Sequence, residues 1–217
     1  MKRSKITILL AIVLGMTFHS CLDLEPQDQL GGKNMWTSVN DYKQFANTFY
    51  SWTRDFSSVV YDGTHSDKRS DLITYQSYNE FSRGINSIPS SDANYTDNYK
   101  HIRRTNLLLQ NAEAYAKPED IKQYIGEAYF FRAYSYFDLL QLYGDVIITK
   151  KPLDITDPEM KVKRNDRSEV VDLIIDDLNH AVENLPAFKE LTTEEEGRIS
   201  KEGAQAFLSR VALYEGT

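Results

Sequence analysis

Apolar residues recur every three to four positions in five stretches of the chain, and each such stretch predicts an amphipathic helix. In SVNDYKQFANTFYSW (38–52), Tyr42, Phe45, Ala46, Phe49 and Tyr50 share one face, and Ser38 with Asp41 makes a capping box at the start. TDNYKHIRRTNLLLQNAEAYA (96–116) sets Tyr99, Ile102, Asn106 and Leu109 along a seam that Leu107 and Leu108 widen. EDIKQYIGEAYFFRAYSYFDLLQLYG (119–144) differs, because its second half is apolar on nearly every side, which predicts burial between neighbours. Gly144 is its expected C-cap. In DRSEVVDLIIDDLNHAVENLP (166–186), Asp166 and Glu169 form a second capping box. Val170, Val171, Ile174, Ile175, Leu178, Ala181, Val182 and Leu185 hold its apolar face, Asp172, Asp176, Asp177 and Glu183 lie opposite, and Pro186 ends it. The last helix starts near Ser200, with Ala204, Phe207, Leu208, Val211 and Ala212 on one face and Leu213 and Tyr214 close behind.

Five helices, with Ala128, Ala133, Ala204 and Ala212 at expected close-packing points, predict an all-α fold of tetratricopeptide-like helical hairpins, an α-α superhelix with long irregular loops. The repeat is irregular because residues 145–165 separate the third and fourth helices; DVIITKKPLD in that interval reads as a short extended link broken by Pro152. Residues 53–94 lose helical periodicity altogether and are rich in Ser, Asp and Asn with interspersed aromatics. A loop of that length inside a compact domain is usually functional or disordered.

The first twenty residues carry a different pattern. MKRSK is basic, and the thirteen uncharged residues of ITILLAIVLGMTF fall short of the roughly 20 that a membrane-spanning helix needs. A basic start, a short apolar core and a small residue at its end predict a signal peptide over 1–20. The only cysteine of the chain, Cys21, follows at once, and FHSC resembles the lipobox of bacterial lipoproteins, with Ser20 before the acylated residue. Cys21 is therefore the expected lipid attachment point, and two or three acyl chains make a stable anchor. Residues 21–36, polar with Pro26 and the Gly31-Gly32 pair, read as a tether, and 37–217 as the folded body. With no other cysteine, disulfides and Cys-based zinc sites are excluded.

Charge narrows the partners. The formal net charge of −7 becomes −10 once residues 1–20, with three basic groups and no acid, are set aside, and such an acidic chain is a poor binder of nucleic acid or anionic lipid surfaces. Fourteen Tyr and ten Phe supply large buried areas or flat faces for ligands. Between Tyr61 and Tyr95, Tyr75 and Tyr78 stand among Asp67, Arg69, Asp71, Asn79 and Arg83. Aromatic faces beside groups that bond hydroxyls are what a sugar platform needs; the same tyrosines could equally cover the helical core, with the charges in water. Tyr129, Tyr134, Tyr136 and Tyr143 read as core residues, Asn106 as a structural hydrogen-bonder, and Glu127 and Arg132 as buried polar links between helices. Catalytic chemistry finds little support. Asp176 and Asp177 point in different directions on one helix, unlike the facing carboxylates of a glycosidase. His65, His101 and His180 show no metal-ligand spacing, and no Gly-rich loop opens a helix to cradle a cofactor phosphate.

The order of segments is itself a signal. A lipobox cysteine followed by LDLEP, then HIRRTNLLL, GEAYFFRAYSYFDLLQLYGDV, RSEVVDLIIDDLNHAVENLP and GRISKEGAQAFLSRVALYEG, over residues 21–216, resembles the RagB/SusD family. The third of these blocks is the strongest, joining helix, Gly144 and Asp145-Val146; Ile147 stands where a proline is often found. The resemblance implies a non-enzymatic outer-membrane lipoprotein facing outward. It would bind a glycan or other nutrient without any cofactor and deliver it to a SusC-like, TonB-dependent β-barrel transporter. It also implies that 37–217 is an N-terminal helical domain, incomplete at its C-terminus. Asp67, Arg69, Asp71, Tyr75, Tyr78 and Asn79 are the expected ligand-contacting residues. Two other readings stand beside this one: a lipid-anchored helical-repeat module that binds protein and no small molecule, and a lipid-anchored glycan hydrolase.

Overall fold

The computed structural model describes residues 35–54, 80, 83–154 and 156–216. Cys21, the tether up to residue 34, and most of the 53–94 loop, including residues 67–79, lie outside the described residues. The helical body is the unit Trp36–Thr217. It holds α1 (Val39–Asn47), α2 (Ala93–Glu113), α3 (Lys122–Tyr143), α4 (Arg167–Asn184) and α5 (Lys201–Gly216). A 3-10 turn, Thr48–Trp52, extends α1, and another, Pro118–Ile121, leads into α3.

The caps explain most of the boundaries. Ser38 and Asp41 exchange bonds at the start of α1, where the Asp41 carboxylate accepts from the Ser38 N–H at 2.8 Å. At the start of α4, the Glu169 carboxylate accepts from the Asp166 N–H at 3.0 Å. Gly144 closes α3 with φ +69°, a left-handed conformation that glycine adopts without a Cβ clash, and donates its N–H to the Leu140 carbonyl at 3.0 Å. Helix α2 begins three residues before the expected Thr96. Asp92 is the N-cap, its carboxylate accepting from the Asn94 N–H at 2.9 Å, so the backbone donors are satisfied earlier than the apolar pattern suggests.

Helix α3 is the centre. It packs against α1, α2 and α4, and its Phe130 and Phe137 meet Phe207 of α5 with ring centroids 5.5 Å apart. Ala128, Phe131, Ala133, Tyr136, Phe137, Leu139 and Leu140 are buried, as expected of a helix apolar all round. Successive helices pack on one another, α2 on α3, α3 on α4 and α4 on α5, which is the tetratricopeptide-like arrangement predicted.

Three expectations are corrected. The buried seam of α2 runs through Asn98, Ile102, Thr105, Asn106, Leu108 and Ala112, and leaves Tyr99 and Leu109 half-buried. The run Leu107-Leu108-Leu109 spreads over most of the helix circumference, so periodicity left the phase of the buried face undetermined. Asp177 is not on the outer face of α4; it is 2% exposed, because Arg132 of α3 reaches it. Ala212 is exposed, whereas Ala128, Ala133 and Ala204 are buried.

Candidate functional site

The link between α3 and α4 builds the surface features of the body. Residues 146–153 form an irregular link that bends at 150–151, and Val146 pairs with Asn165 in an antiparallel bridge. Backbone outside helix and sheet must satisfy its polar groups elsewhere. Here side chains of α2 and α3 do so. The Tyr99 hydroxyl donates to the Ile147 carbonyl at 2.8 Å and accepts from the Ile147 N–H at 2.9 Å. The Tyr136 hydroxyl does the same for Thr149, at 3.2 and 2.7 Å. The Asn106 amide donates to the Thr149 and Lys151 carbonyls at 2.9 and 3.2 Å. Burial pushes both tyrosine hydroxyls well above their usual pKa, so they stay protonated.

The side chains of the link turn to different sides. Ile147, Thr149 and Leu153 face a cleft of about 430 Å³ against α2, whose other walls include Tyr95, Tyr99, Arg103 and Met160. Ile148 and Lys150 face the α4 side, beside Asp172 and Asp176.

The first cleft is aromatic and mostly apolar within. Tyr95 and Tyr99 lie 4.8 Å apart at 49°, and Tyr143 meets Tyr95 edge-on at 5.2 Å. Its rim is charged but internally paired. Lys100 bonds Asp97 at 2.7 Å, Arg103 meets Asp154 at 3.4 Å, and Lys151 bonds Glu159 at 2.6 Å. The Lys100 hydrogen bond holds the Asp97 carboxyl below its usual range, and the Glu159 hydrogen bond lifts the Lys151 ammonium.

A second cleft of about 330 Å³ lies among α2, α3 and α4, with Glu113, Tyr129, Lys150, Asp176 and His180 on its walls. Tyr129 stacks on His180 at 4.9 Å, and the Arg132 guanidinium lies over the Tyr129 ring. At its base the Arg132 guanidinium donates to both Asp177 oxygens at 2.8 and 2.6 Å and to Asn106 Oδ1 at 2.8 Å. Glu127 is held likewise by Arg198, at 2.8 and 2.7 Å. Burial raises the Glu127 carboxyl above its usual range against the pull of those bonds. The Arg132–Asp177 pair is the expected link between helices, whereas Glu127 is tied to Arg198 in the loop before α5 and not to a helix. On α2, His101 stacks on Trp52 at 4.1 Å and 15°, and burial lowers its pKa to about 4, so it is neutral at pH 7.

Of the residues singled out in the sequence, Cys21, Asp67, Arg69, Asp71, Tyr75, Tyr78 and Asn79 lie outside the described residues. Tyr95, Tyr99 and Met160 drew no attention as site residues, because only the link brings them together over more than sixty positions. The one legible hint was the break in helical periodicity after Gly144. Among the described residues no three His, Cys, Asp or Glu side chains cluster as a metal site, and no helix is long and apolar enough to cross a membrane.

Fold and clefts together define a class: an all-α array of tetratricopeptide-like hairpins whose irregular connections carry the concave surface. The SusD-like family model, described as starch-binding and associating with the outer membrane, matches residues 22–213. The chain belongs to this SusD-like family. SusD-like proteins P38 and P2 of Formosa agariphila are each 28% identical to it over 233 residues, matches that cover 98% and 100% of this chain. They cover only 42% and 44% of those relatives, so the chain spans less than half their length. Among solved structures, a SusD-like protein from Bacteroides fragilis superimposes with a TM-score of 0.71 at 28% identity, over 88% of this chain and 38% of that one. A laminarin-binding SusD-like protein gives 0.56 at 31% identity, over 63% of this chain and 30% of its own. A SusD homolog from Bacteroides thetaiotaomicron, at 21% identity and a TM-score of 0.62 over 82% of this chain and 36% of its own, supports the fold alone.

Proposed function

We propose that the chain is the N-terminal part of a cell-surface lipoprotein that binds a nutrient glycan and passes it to a SusC-like, TonB-dependent β-barrel transporter. The observation that carries this reading is the family match across 22–213, with a laminarin-binding protein among the structural neighbours. Residues 1–20 act as the signal peptide, Cys21 takes the lipid, 21–36 tether the body, and 37–217 form the helical scaffold facing the cell exterior. Recognition is non-catalytic: sugar rings stack on aromatic faces while charged and amide groups bond their hydroxyls. Asp67, Arg69, Asp71, Tyr75, Tyr78 and Asn79 form part of that platform.

The test has two arms. Tagged protein extracted from membranes in mild detergent should bring down one large β-barrel transporter in near-equal amount, and Cys21→Ala should release the protein from the membrane fraction. The purified body should bind an oligosaccharide saturably and release no product from it. A second reading, a lipid-anchored protein-interaction module, draws on the exposed Leu213 (69%) and Tyr214 (40%) of α5. Recovery of a protein partner other than a barrel, with no saturable sugar binding, would favour it.

A further inference from the structure

We propose that the cleft between α2 and the 146–153 link is a binding subsite for an uncharged pyranose; this rests on the glycan-receptor reading and assigns that reading a second contact surface. Four observations converge on it. The cleft, at about 430 Å³, falls within the roughly 300–1,000 Å³ of small-molecule sites. Its inner surface is mostly apolar, with the Tyr95 and Tyr99 rings on α2 tilted 49° to each other and Met160, 52% exposed, also on its wall. Tyr99 cannot be spared for a ligand through its hydroxyl, which is committed to both backbone groups of Ile147, so its ring is held fixed as a wall. A rigid aromatic surface loses little entropy when it receives a ring.

The rim then selects the chemistry. Lys100 and Arg103 offer donors, while Glu159 and the Thr96 hydroxyl, whose own proton goes to the Asp92 carbonyl, offer acceptors. Such a mixture suits hydroxyls, which both donate and accept. The formal charges cancel: Lys100, Arg103 and Lys151 are matched by Asp97, Asp154 and Glu159 within 2.6–3.4 Å. A uronate or sulfated sugar would find no uncompensated cation there, and a cationic sugar no uncompensated acid. A neutral hexose or pentose ring has one C–H face for the tyrosines and an edge of hydroxyls for the rim. A long alkyl chain would leave the rim groups desolvated and unpaired, at a cost.

The experiment is a glycan array carrying neutral and uronate-containing oligosaccharides, followed by calorimetry of the strongest ligand with three variants. Tyr95→Ala removes a stacking face, Met160→Lys fills the cleft from an exposed turn, and His180→Ala alters the opposite cleft as a control. The expected result is a neutral ligand whose affinity falls about tenfold or more in the first two variants and is unchanged in the third, the size of a lost stacking contact. Thermal unfolding checks that Met160→Lys keeps the fold, so the test survives if Tyr95→Ala does not. Equal affinity of Met160→Lys and the parent chain for a bound glycan would overturn the subsite and leave the receptor reading standing. A preference for uronates would overturn its neutrality. Absence of binding to every glycan on the array would remove the receptor reading itself, and the subsite with it.

Discussion

Arg132 and Asp177 are 6% and 2% exposed in their side chains, and the pair is held by two short hydrogen bonds with Asn106 as third partner. Taking two charges out of water is expensive, and their mutual attraction offsets the cost only while both are present. Asp177→Ala should therefore destabilise the protein by about 3–5 kcal/mol, because it strands a buried guanidinium. Arg132→Met with Asp177→Leu should recover most of that loss. Urea unfolding of the single and double variants checks this; an additive double variant would mean that the pair is not the unit we describe. Glu127 and Arg132 could be recognised from the sequence as misfits on an apolar helix. Asp177 could not, because it follows two acids on a helix that also has a solvated face.

At the scale of elements, α3 and the end of α4 approach closely at Gly126. A Cβ on Gly126 would lie 2.9 Å from Leu185 Cγ and 3.1 Å from Asn184 Cβ. Alanine is the better helix former by about 1 kcal/mol, so an exposed Gly126→Ala would stabilise. Here the clash opposes that gain, and overpacking in a fitted core costs roughly 1–3 kcal/mol. The expected net result is a lower Tm for Gly126→Ala; a raised Tm would show that Leu185 moves aside freely. The helices themselves were legible because caps and periodicity agree locally: Ser38 and Asp41, Asp166 and Glu169, Gly144, Pro186. The start of α2 was not, since Asp92 and Thr96 are both plausible caps. Its buried face was not legible either, because three consecutive leucines fit several orientations.

For the molecule as a whole, the link 146–153 is the piece on which the surface depends. It sits in place through hydroxyls and an amide contributed by α2 and α3, and it separates the two clefts. Tyr99→Phe leaves the ring and removes both bonds to Ile147, so it should destabilise by roughly 1–3 kcal/mol, the cost of unpaired buried polar groups. It should also raise the hydrogen exchange of the Ile147 amide selectively, while amides in the middle of α4 keep their protection. Uniform loss of protection would mean that the link has no local stability of its own.

The all-α class, the five helices among the described residues, the caps of α1 and α4, Gly144 after α3 and the family resemblance were determined by the sequence alone, because each depends on residues within a few turns of one another or on the linear order of segments. Which face of α2 is buried, that Asp177 is internal, and that Tyr95, Tyr99 and Met160 meet across a cleft were decided only by the tertiary structure. These facts depend on how one helix is rotated against the next and on where the 146–153 link crosses them. Side chains far apart in the chain settle both, and no local pattern records them.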